Sequence, residues 1–540
     1  MTPLAALVLA ATATAGAAAS ATATARFVLS TAAPARTTDT RFVSFSFDAS
    51  VLRGDDPFGF FASPSVASLL AGLQPAYFRF SGTDVDSMTF NETAPCPNSD
   101  KPYCINSTQL THILRAASAA GLDLVMGLNG RIGKSANAPN AAWDSTNAAE
   151  ELAWLDATVA ATGMAPPYGY ELGNEPDLWP WTLNGSHLVN GSALASDVTR
   201  LRGLLATMPH LSAAPINTFG PDTCNCYNGD VVLKEFAAAS TTPPSLQRFT
   251  WHFYNMGRAT SADAMVSVAA ADYLGTKIAA AAAAARAAAI PSDIIIGETG
   301  ECVMGGCLGD GHAYWSEAFV DSFLFLDKLG LSAAANVSAI MKEKIFGGND
   351  QFISPRGLPN APYWLMLLHK QLVGARVLHV ANSTAPGRVV RVYAHCARAW
   401  AAGTAGRLVP AYAPGAVVLL AVNLDNVTAA SVQLVDTSGA SIALAPRDEF
   451  RLSGPMPAPL PGNDTACFFA PGFGPPMPYF PSALCLNGAL LFLGDGPAGA
   501  NTTLPALVPA TVADAGAPLV LPPLSLGLFV LPDAAVPACM

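Results

Sequence analysis

Charged residues are scarce in this chain. They make up only 12% of its 540 residues, and the formal net charge is −11 at pH 7. These values argue against a broad basic surface that would hold a nucleic acid or another polyanion, but they leave room for an acidic sugar in a small local pocket. After the first residues there is also no uninterrupted apolar run of about 18 residues, so we expect no transmembrane span.

The N-terminal segment 1–25 lacks the positive charges that usually open a secretory signal. It does have an apolar stretch and small residues near 19–25 where a signal peptidase could cut. We interpret it as a signal peptide; a disordered Ala/Thr leader is the alternative. Export is supported by nine Asn-x-Ser/Thr sequons, at Asn91, Asn106, Asn184, Asn190, Asn336, Asn382, Asn426, Asn463 and Asn501. We expect a secreted glycoprotein of the extracellular matrix, the cell surface (as a peripheral membrane-associated protein), or a lysosome or vacuole.

The ten cysteines form an even set with short spacings, typical of disulfides in an oxidising compartment. Near neighbours are Cys96 and Cys104, Cys224 and Cys226, Cys302 and Cys307, and Cys467 and Cys485, which leaves Cys396 and Cys539 as a long-range pair. A metal site at Cys224-x-Cys226 is the alternative for that motif, but no histidine cluster lies nearby. We expect no metal and no cofactor.

Strand-like and helical segments alternate over most of the first 375 residues. The predicted strands are 42–47, 77–83, 122–128, 170–173, 213–219, 249–254, 293–298 and 334–346, and the predicted helices are 64–73, 111–120, 147–162, 197–206, 231–239, 276–290, 313–330 and 363–372. This alternation indicates a parallel sheet, and its count favours a (β/α)8 TIM barrel over 40–375. Short strands between Pro/Gly turns then predict a β-sandwich over 376–540, to which segment 26–39 could add a strand.

Polar side chains recur where the predicted barrel strands end. They are Asp48, Thr83, Asn129, Asn174, Glu175, His252, Tyr254 and Glu298. The active site of such a barrel is built at the carboxyl ends of its strands, so a catalytic face explains this recurrence.

Glu175 and Glu298 are the candidate catalytic pair. Retaining glycosidases use two carboxyl groups, one as acid/base and one as nucleophile. Pro176 disfavours a helical Glu175 and predicts an extended backbone there. Tyr254 could orient and ionise a neighbouring carboxylate, with His252 as support.

Other readings of these residues stay open. A structural carboxylate is an alternative for either glutamate, and a core histidine is an alternative for His252. Glu171 lies inside its strand, where internal pairing is expected, and Glu301 lies three residues beyond Glu298. The remaining candidates, which either pack or stack on sugar, are Trp179 and Trp181.

Two motifs resemble those of heparanases and heparanase-like β-glucuronidases, glycoside hydrolase family 79. They are Tyr170-Glu171-Leu172-Gly173-Asn174-Glu175-Pro176 and Ile296-Gly297-Glu298-Thr299. The likeness continues in Phe78-Arg79-Phe80-Ser81-Gly82-Thr83, Thr250-Trp251-His252, Leu326-Asp327-Lys328-Leu329-Gly330, Tyr363-Trp364-Leu365, Val392-Tyr393-Ala394-His395-Cys396 and Ala538-Cys539-Met540.

The resemblance implies a retaining hydrolase that cleaves β-glucuronide linkages of a uronic-acid-containing glycan by double displacement. It implies Glu175 as acid/base and Glu298 as nucleophile. Candidate substrate-binding residues are Asp48, Thr83, Asn129, Asn174, Gly305, Gly348 and Asp350. A clan relative acting on a neutral β-glycoside, and a catalytically silent glycan-binding protein, are the alternatives.

The chain departs from animal heparanases at two places that bear on the substrate. Segment 224–228 has no basic residue, and Gly348-Asn349-Asp350 stands where those enzymes have Gly-Asn-Tyr. Asp350 would repel a uronate carboxylate unless it is protonated or turned away. The long segment that animal heparanases excise is also missing, so we expect no proteolytic activation.

Overall fold

A closed barrel of eight parallel strands is the largest unit of the computed structural model. The structure describes residues 22–53, 57–91, 103–135, 137–182, 188–224, 229–240, 248–257, 259, 261–290, 293–303, 307, 315–348, 350–381, 387–401, 403–454, 483–495 and 501–540. The barrel strands β1 to β8 are Val43–Asp48, Tyr77–Ser81, Asp123–Leu128, Gly169–Leu172, Asn217–Thr223, Arg248–Met256, Asp293–Cys302 and Val337–Lys342. They pair in chain order, and β8 closes on β1, which confirms the predicted (β/α)8 fold.

Helices cover the outside of the barrel. The helices α1 to α10 are Pro57–Ala62, Pro64–Gly72, Ser107–Ala119, Thr146–Thr162, Trp179–Thr182, Gly191–Leu205, Gly229–Ala239, Val268–Ala287, Asp321–Ala334 and Ala361–Leu372. Two of them begin at asparagines whose side chains cap the first turn. The side chain of Asn106 accepts a hydrogen bond from the backbone N–H of Gln109, and that of Asn190 from the N–H of Ala193. Such caps satisfy backbone donors that the first turn leaves unpaired.

Alternation along β2 divides its side chains between two environments. Phe78 and Phe80 face outward into the core under the helices. Tyr77 lies in a layer inside the barrel, which it shares with Val125, Phe219, Ile295, Ala339 and Met341. This apolar layer fills the amino-terminal end of the barrel. Because side chains of a strand alternate, Arg79 also points inward, one layer closer to the carboxyl end.

Two further sheets pack beside the barrel and form the predicted sandwich. The larger has the order Arg36–Thr37, Val373–Leu378, Val390–Ala397, Val417–Asn423, Ser525–Leu531, Arg447–Ser453, Cys485–Leu486 and Ala489–Leu490, with Ala510–Val512 also on Arg447–Ser453. The smaller has the order Val380–Ala381, Thr22–Leu29, Ala429–Asp436 and Ser441–Ile442, with Leu519–Leu521 also on Ala429–Asp436. Short two-stranded sheets pair Met88–Phe90 with Tyr103–Ile105 and Gly494–Asp495 with Asn501–Thr503.

The central strand Val417–Asn423 explains why the sandwich does not separate from the barrel. Its alternate side chains enter two different cores. Val418, Leu420 and Val422 join the core shared with the barrel helices, and Val417, Leu419 and Ala421 join the core between the two sheets. A strand covered on both faces is mostly apolar, as this one is from Val417 to Val422. The predicted domain limits at 40, 375 and 376 stay predictions.

The structure joins Cys396 to Cys539 by a disulfide with Cα atoms 5.2 Å apart. Cys302 is joined to Cys307. Cys104, Cys224 and Cys485 are also disulfide-bonded, so the sulfur of Cys224 is not a thiolate that could bind a metal. Their predicted neighbours lie outside the described residues: Cys96, Cys226 and Cys467.

Several predicted element ends differ from the structure, and two of the differences have a clear tertiary reason. The helix predicted to stop at Gly330 runs from Asp321 to Ala334. Gly330 is there because a Cβ would lie 2.1 Å from the ring of Tyr393, so the glycine permits close approach and does not end the helix. Strand β5 continues through Pro221, which had predicted a turn, because β6 pairs with it at Pro221 and beyond, whereas β4 pairs with it only as far as Phe219.

The free energy of unfolding should depend on pH through Glu151. This residue on α4 is 5% exposed, and its Oε1 has no hydrogen-bond partner among the described residues. Burial raises the pKa of the carboxyl to about 8. Because the folded state holds this proton more tightly than the unfolded chain, its stabilising effect is complete at acidic pH and is lost as pH rises through about 8.

Glu151→Gln is therefore expected to raise the free energy of unfolding at pH 9 by about 2–3 kcal/mol relative to wild type, with little change at pH 5. Urea unfolding at both pH values measures the difference. Glu150→Gln, on the exposed side of the same helix, is the control and should give the same small change at both. An equal effect of Glu151→Gln at pH 5 and pH 9 would contradict the prediction.

Candidate active site

Arg79 lies at the centre of the carboxyl end of the barrel. It is fully buried, and its guanidinium donates to three acceptors, while Nη2 also lies 3.4 Å from His252 Nε2. Nε donates to Glu171 Oε2 at 2.7 Å, Nη1 donates to Glu298 Oε2 at 3.0 Å, and Nη2 donates to Asn174 Oδ1 at 2.9 Å. A planar guanidinium fixes several acceptors in one geometry, so Arg79 ties the strand before Glu175 to the strand of Glu298.

Glu298 sits at an irregularity in β7, which runs four residues beyond the predicted strand end. The pairing register with β6 shifts there, and the register with β8 is interrupted between Ile296 and Thr299. Bulges of this kind re-aim side chains near active sites. The Tyr254 hydroxyl donates to Glu298 Oε1 at 2.7 Å, so each oxygen of Glu298 accepts a hydrogen bond.

Glu175 follows β4 in a left-handed backbone conformation. Its φ and ψ are 47° and 58°, so the prediction of an extended backbone is wrong. The reason is a tertiary contact: the N–H of Glu175 donates to the carbonyl oxygen of Asp222 at 2.9 Å. Non-glycine residues held in this region store backbone strain, which recurs at functional sites.

His252 links the Glu175 side chain to Asp222. Its Nδ1 is 3.0 Å from Glu175 Oε1, and its Nε2 is 3.4 Å from Asp222 Oδ1. Burial opposes a charged imidazole, but the carboxylates of Glu298, Asp222 and Glu175 outweigh it and raise the pKa of His252 to about 10. The raised pKa favours an imidazolium whose Nδ1–H donates to Glu175 Oε1, while Nε2 lies 3.4 Å from Asp222 Oδ1 and 3.4 Å from Arg79 Nη2.

The two predicted catalytic carboxyl groups, those of Glu175 and Glu298, lie close together. One oxygen of Glu175, one of Glu298 and a nitrogen of His252 lie within 4.8 Å of one another. Burial and the charge of Glu298 raise the pKa of Glu175, although His252 and Arg79 oppose this. Three such ligands could suit a metal ion, but the guanidinium and the imidazolium supply positive charge at this point and disfavour a cation.

The rival glutamates are engaged in internal ion pairs. Glu171 is fully buried and pairs with Arg79, as its position inside the strand predicted. Glu301 is also fully buried, and its oxygens lie 3.1 Å from Lys328 Nζ and 2.5 Å from Lys342 Nζ. Because Lys328 belongs to α9, Glu301 faces the helix layer and not the barrel mouth.

Predicted binding residues have different surroundings. Asp48 is half-buried at the mouth, with Oδ2 3.7 Å from Lys344 Nζ, and Thr83 is half-buried after β2. Asn129 donates from Nδ2 to the Met88 carbonyl at 2.5 Å and accepts from two backbone N–H groups, so its side chain holds its own loop. Gly305 and Asn349 lie outside the described residues.

Trp179 packs and does not stack on sugar. It is 1% exposed, and its indole N–H lies 2.8 Å from Asp86 Oδ2. The same carboxylate accepts from the backbone N–H groups of Asn174 and Gly130, so it fixes the turn that carries the candidate acid. Trp181 is 53% exposed.

Four charged residues of the site carried no predicted role: Arg79, Asp222, Glu343 and Lys344. Arg79 had a signal in the sequence, because a charged residue between Phe78 and Phe80 is unusual in a buried strand. Asp222 lies near the carboxyl end of a barrel strand, so the pattern that identified the other polar residues at strand ends could also have identified it. Only the structure brings Glu343 and Lys344 to the barrel mouth.

A closed eight-stranded barrel whose carboxyl end joins two carboxyl groups over a buried arginine has the architecture of a barrel glycosidase. A solved 4-O-α-L-rhamnosyl-β-D-glucuronidase from Fusarium oxysporum 12S has the same fold, with a TM-score of 0.58 and 16% identity over 94% of this chain and all of that one. Residues 100–330 match the family model described as Glycosyl hydrolase family 79, N-terminal domain.

Known relatives extend this match over the chain. Heparanase of Gallus gallus is 27% identical over 570 residues, which cover 96% of this chain and 97% of the relative. Hyaluronoglucuronidase of Hirudo nipponia is 26% identical over 71% of this chain and 80% of the relative. The chain is therefore a glycosidase that is similar to heparanases and to glycosyl hydrolase family 79.

Proposed function

We propose that this glycosidase is a retaining β-glucuronidase with Glu175 as acid/base and Glu298 as nucleophile. The observation that carries the proposal is the approach of their carboxyl oxygens to within 4.8 Å. Retaining pairs are about 5–5.5 Å apart, and inverting pairs are about 6.5–9.5 Å apart because a water must fit between. The short separation favours direct attack by a carboxylate.

In the first step, a Glu298 oxygen forms a bond to the anomeric carbon while the bond from that carbon to the glycosidic oxygen breaks. Glu175 transfers its proton to the departing oxygen, so the alcohol leaves neutral. The imidazolium of His252 donates to Glu175 Oε1, which leaves the acidic proton on Oε2. Burial and Glu298 raise the pKa of Tyr254 well above its usual range, so the phenol stays a neutral donor to Glu298.

In the second step, Glu175 takes a proton from water, whose oxygen bonds to the anomeric carbon as the bond to Glu298 breaks. The product keeps the β-configuration. Asn174 is the candidate partner for the sugar 2-hydroxyl. Its Oδ1 accepts from Arg79, while its buried Nδ2 has no hydrogen-bond partner among the described residues. This amide can therefore donate to a substrate oxygen.

The proposed sugar is a glucuronide, a choice supported by the names of the leech and Fusarium relatives. Asp350 is compatible with it, because the residue is 4% exposed and burial raises the pKa of its carboxyl to about 6. At mildly acidic pH a large share of this carboxyl is neutral. A neutral β-glycoside is the second candidate, favoured by the aspartate that replaces the tyrosine of animal heparanases.

Export of the protein is part of the proposal. Of the predicted sequons, Asn190, Asn336 and Asn426 are exposed, while Asn184, Asn382 and Asn463 lie outside the described residues. The strand that begins at Thr22 pairs along its whole length with Ala429–Asp436. This strand overlaps residues 22–25 of the predicted signal segment 1–25, so a signal peptidase cut that keeps the strand complete would fall before Thr22. No helix among the described residues is long and apolar enough to cross a membrane.

A panel of 4-nitrophenyl β-glycosides tests the proposed specificity. We expect kcat/KM for the glucuronide to exceed that for the glucoside and galactoside by at least tenfold, about 1.4 kcal/mol of transition-state binding. Proton NMR of the first product should show the β-anomer. Hydrolysis of the glucoside without hydrolysis of the glucuronide would establish the neutral-sugar reading, and an α-anomer as first product would contradict retention.

A further inference from the structure

Lys344 lies at the barrel mouth between the two strands that carry Glu298 and Asp48. It follows β8, which pairs with β7 on one side and with β1 on the other. Its backbone is fixed from both directions: the N–H of Lys344 donates to the Asp350 carbonyl at 3.1 Å, and the N–H of Phe352 donates to the Lys344 carbonyl at 3.0 Å. The side chain therefore starts from a rigid position on the catalytic face.

The ammonium group of Lys344 is close to carboxylates but forms no hydrogen bond with any described residue. Nζ is 3.7 Å from Asp48 Oδ2 and 4.0 Å from Glu343 Oε1, both beyond the usual hydrogen-bond range. The side chain is 14% exposed. Gly348 leaves space beside it, since a Cβ at that position would lie 3.5 Å from Nζ. Three N–H donors thus remain for a ligand.

The charges around Lys344 favour a positive ammonium. Burial would lower its pKa, but the surrounding acidic groups, with Asp48 contributing most, outweigh burial and raise it. Burial and the neighbouring carboxylates of Glu298 and Asp48 raise the pKa of Glu343 well above its usual range, so this group competes weakly as an anion.

We propose that Lys344 binds the C6 carboxylate of the sugar whose anomeric carbon faces Glu298, and so determines specificity for a uronate. This inference rests on the proposed glucuronidase function and adds a residue to it. In a pyranose, C6 is separated from the anomeric carbon only by the ring oxygen and C5. A group that binds C6 must therefore lie beside the nucleophile, on the strands next to it, as Lys344 does. The contact would be a charge-assisted hydrogen bond.

A purely structural role for Lys344 explains less of the geometry. A lysine that only balanced Asp48 would be expected to donate directly to it, at about 2.7–2.9 Å. Instead, Asp48 Oδ1 accepts from the backbone N–H of Ser50 at 2.7 Å, and Lys344 remains at longer range from the other oxygen. The spacing leaves the ammonium able to turn toward an incoming carboxylate.

The test compares Lys344→Met, Lys344→Arg and wild type on 4-nitrophenyl β-glucuronide and 4-nitrophenyl β-glucoside. We expect Lys344→Met to lower kcat/KM for the glucuronide by roughly 10- to 100-fold, the range for one charged hydrogen bond, and to change it for the glucoside by less than threefold. The loss should appear mainly in KM. Lys344→Arg should recover most of it, because the charge is kept. Lys234→Met, on the exposed side of α7, is the matched control.

The results of this test distinguish a failure of the proposed role of Lys344 from a failure of the proposed glucuronidase function. Equal losses on both substrates, or no loss on the glucuronide, would overturn the role of Lys344 while a wild-type preference for glucuronide leaves the function standing. A wild-type enzyme that cleaves only the glucoside would overturn both. Glucuronate as a competitive inhibitor gives a second readout: its inhibition constant should rise in Lys344→Met and not in Lys234→Met.

Discussion

Replacement of Glu298 by glutamine is expected to lower kcat for 4-nitrophenyl β-glucuronide by roughly 10⁴- to 10⁶-fold, the scale for loss of a covalent nucleophile. An amide does not form the glycosyl bond that the carboxylate forms. The substitution keeps the side-chain shape, and an amide oxygen can still accept from Arg79 or Tyr254. Kinetics at saturating substrate, with circular dichroism as the test of folding, measure the effect.

Glu150→Gln is the matched control for this prediction, because the same chemical change occurs on the exposed face of α4. Its activity should equal that of wild type. A second measurement identifies the atom: a 2-deoxy-2-fluoro β-glucuronide with a good leaving group should leave a covalent adduct on the peptide that contains Glu298. Adduct formation at another carboxylate, or full activity of Glu298→Gln, would refute the assignment.

Replacement of Glu175 by alanine is expected to lower kcat/KM by roughly 10³-fold on substrates with poor leaving groups, within the range for general acid catalysis. The loss should be much smaller for 2,4-dinitrophenyl β-glucuronide, whose phenolate leaves without a proton. The second step then becomes slow because no base activates water. Azide should restore turnover and yield the β-glycosyl azide, since an anionic nucleophile needs no base.

The pH profile separates acid catalysis from a structural role of Glu175. The first step requires the protonated carboxyl, so kcat/KM of the wild type should fall as pH rises through the raised pKa of Glu175. This basic limb should be absent in Glu175→Ala with the dinitrophenyl substrate. Charged groups facing the carboxyl are His252, Glu298 and Arg79. A loss independent of the leaving group, or a basic limb unchanged in the variant, would contradict the assignment.

The order of elements and the two glutamates could be predicted from sequence for a local reason. Parallel barrel strands are short apolar segments, and the residue that follows each one faces the same end of the barrel. Glu175 and Glu298 could therefore be placed on one face without knowledge of packing. The Tyr254 contact followed from side-chain alternation along β6, which puts it on the side of His252.

Backbone details at the same positions could not be predicted, because distant parts of the chain determine them. The local effect of Pro176 predicts an extended Glu175, but the Asp222 carbonyl holds a left-handed one. The local sequence predicts that Gly330 ends the helix, but the glycine lies within the helix, where the ring of Tyr393 packs closely against it. Each prediction used neighbours in sequence, and each correction comes from a neighbour in space.

The sequence by itself determined the class of enzyme and predicted the pair of carboxyl groups, since strand pattern and motif are local properties. Only the tertiary structure decided how those groups are charged and spaced. Arg79, His252 and Asp222 come from three strands, and their fields act on Glu175 and Glu298 through space. Lys344 shows the same dependence: it lies between the strands of Glu298 and Asp48 because β8 closes the barrel between β7 and β1.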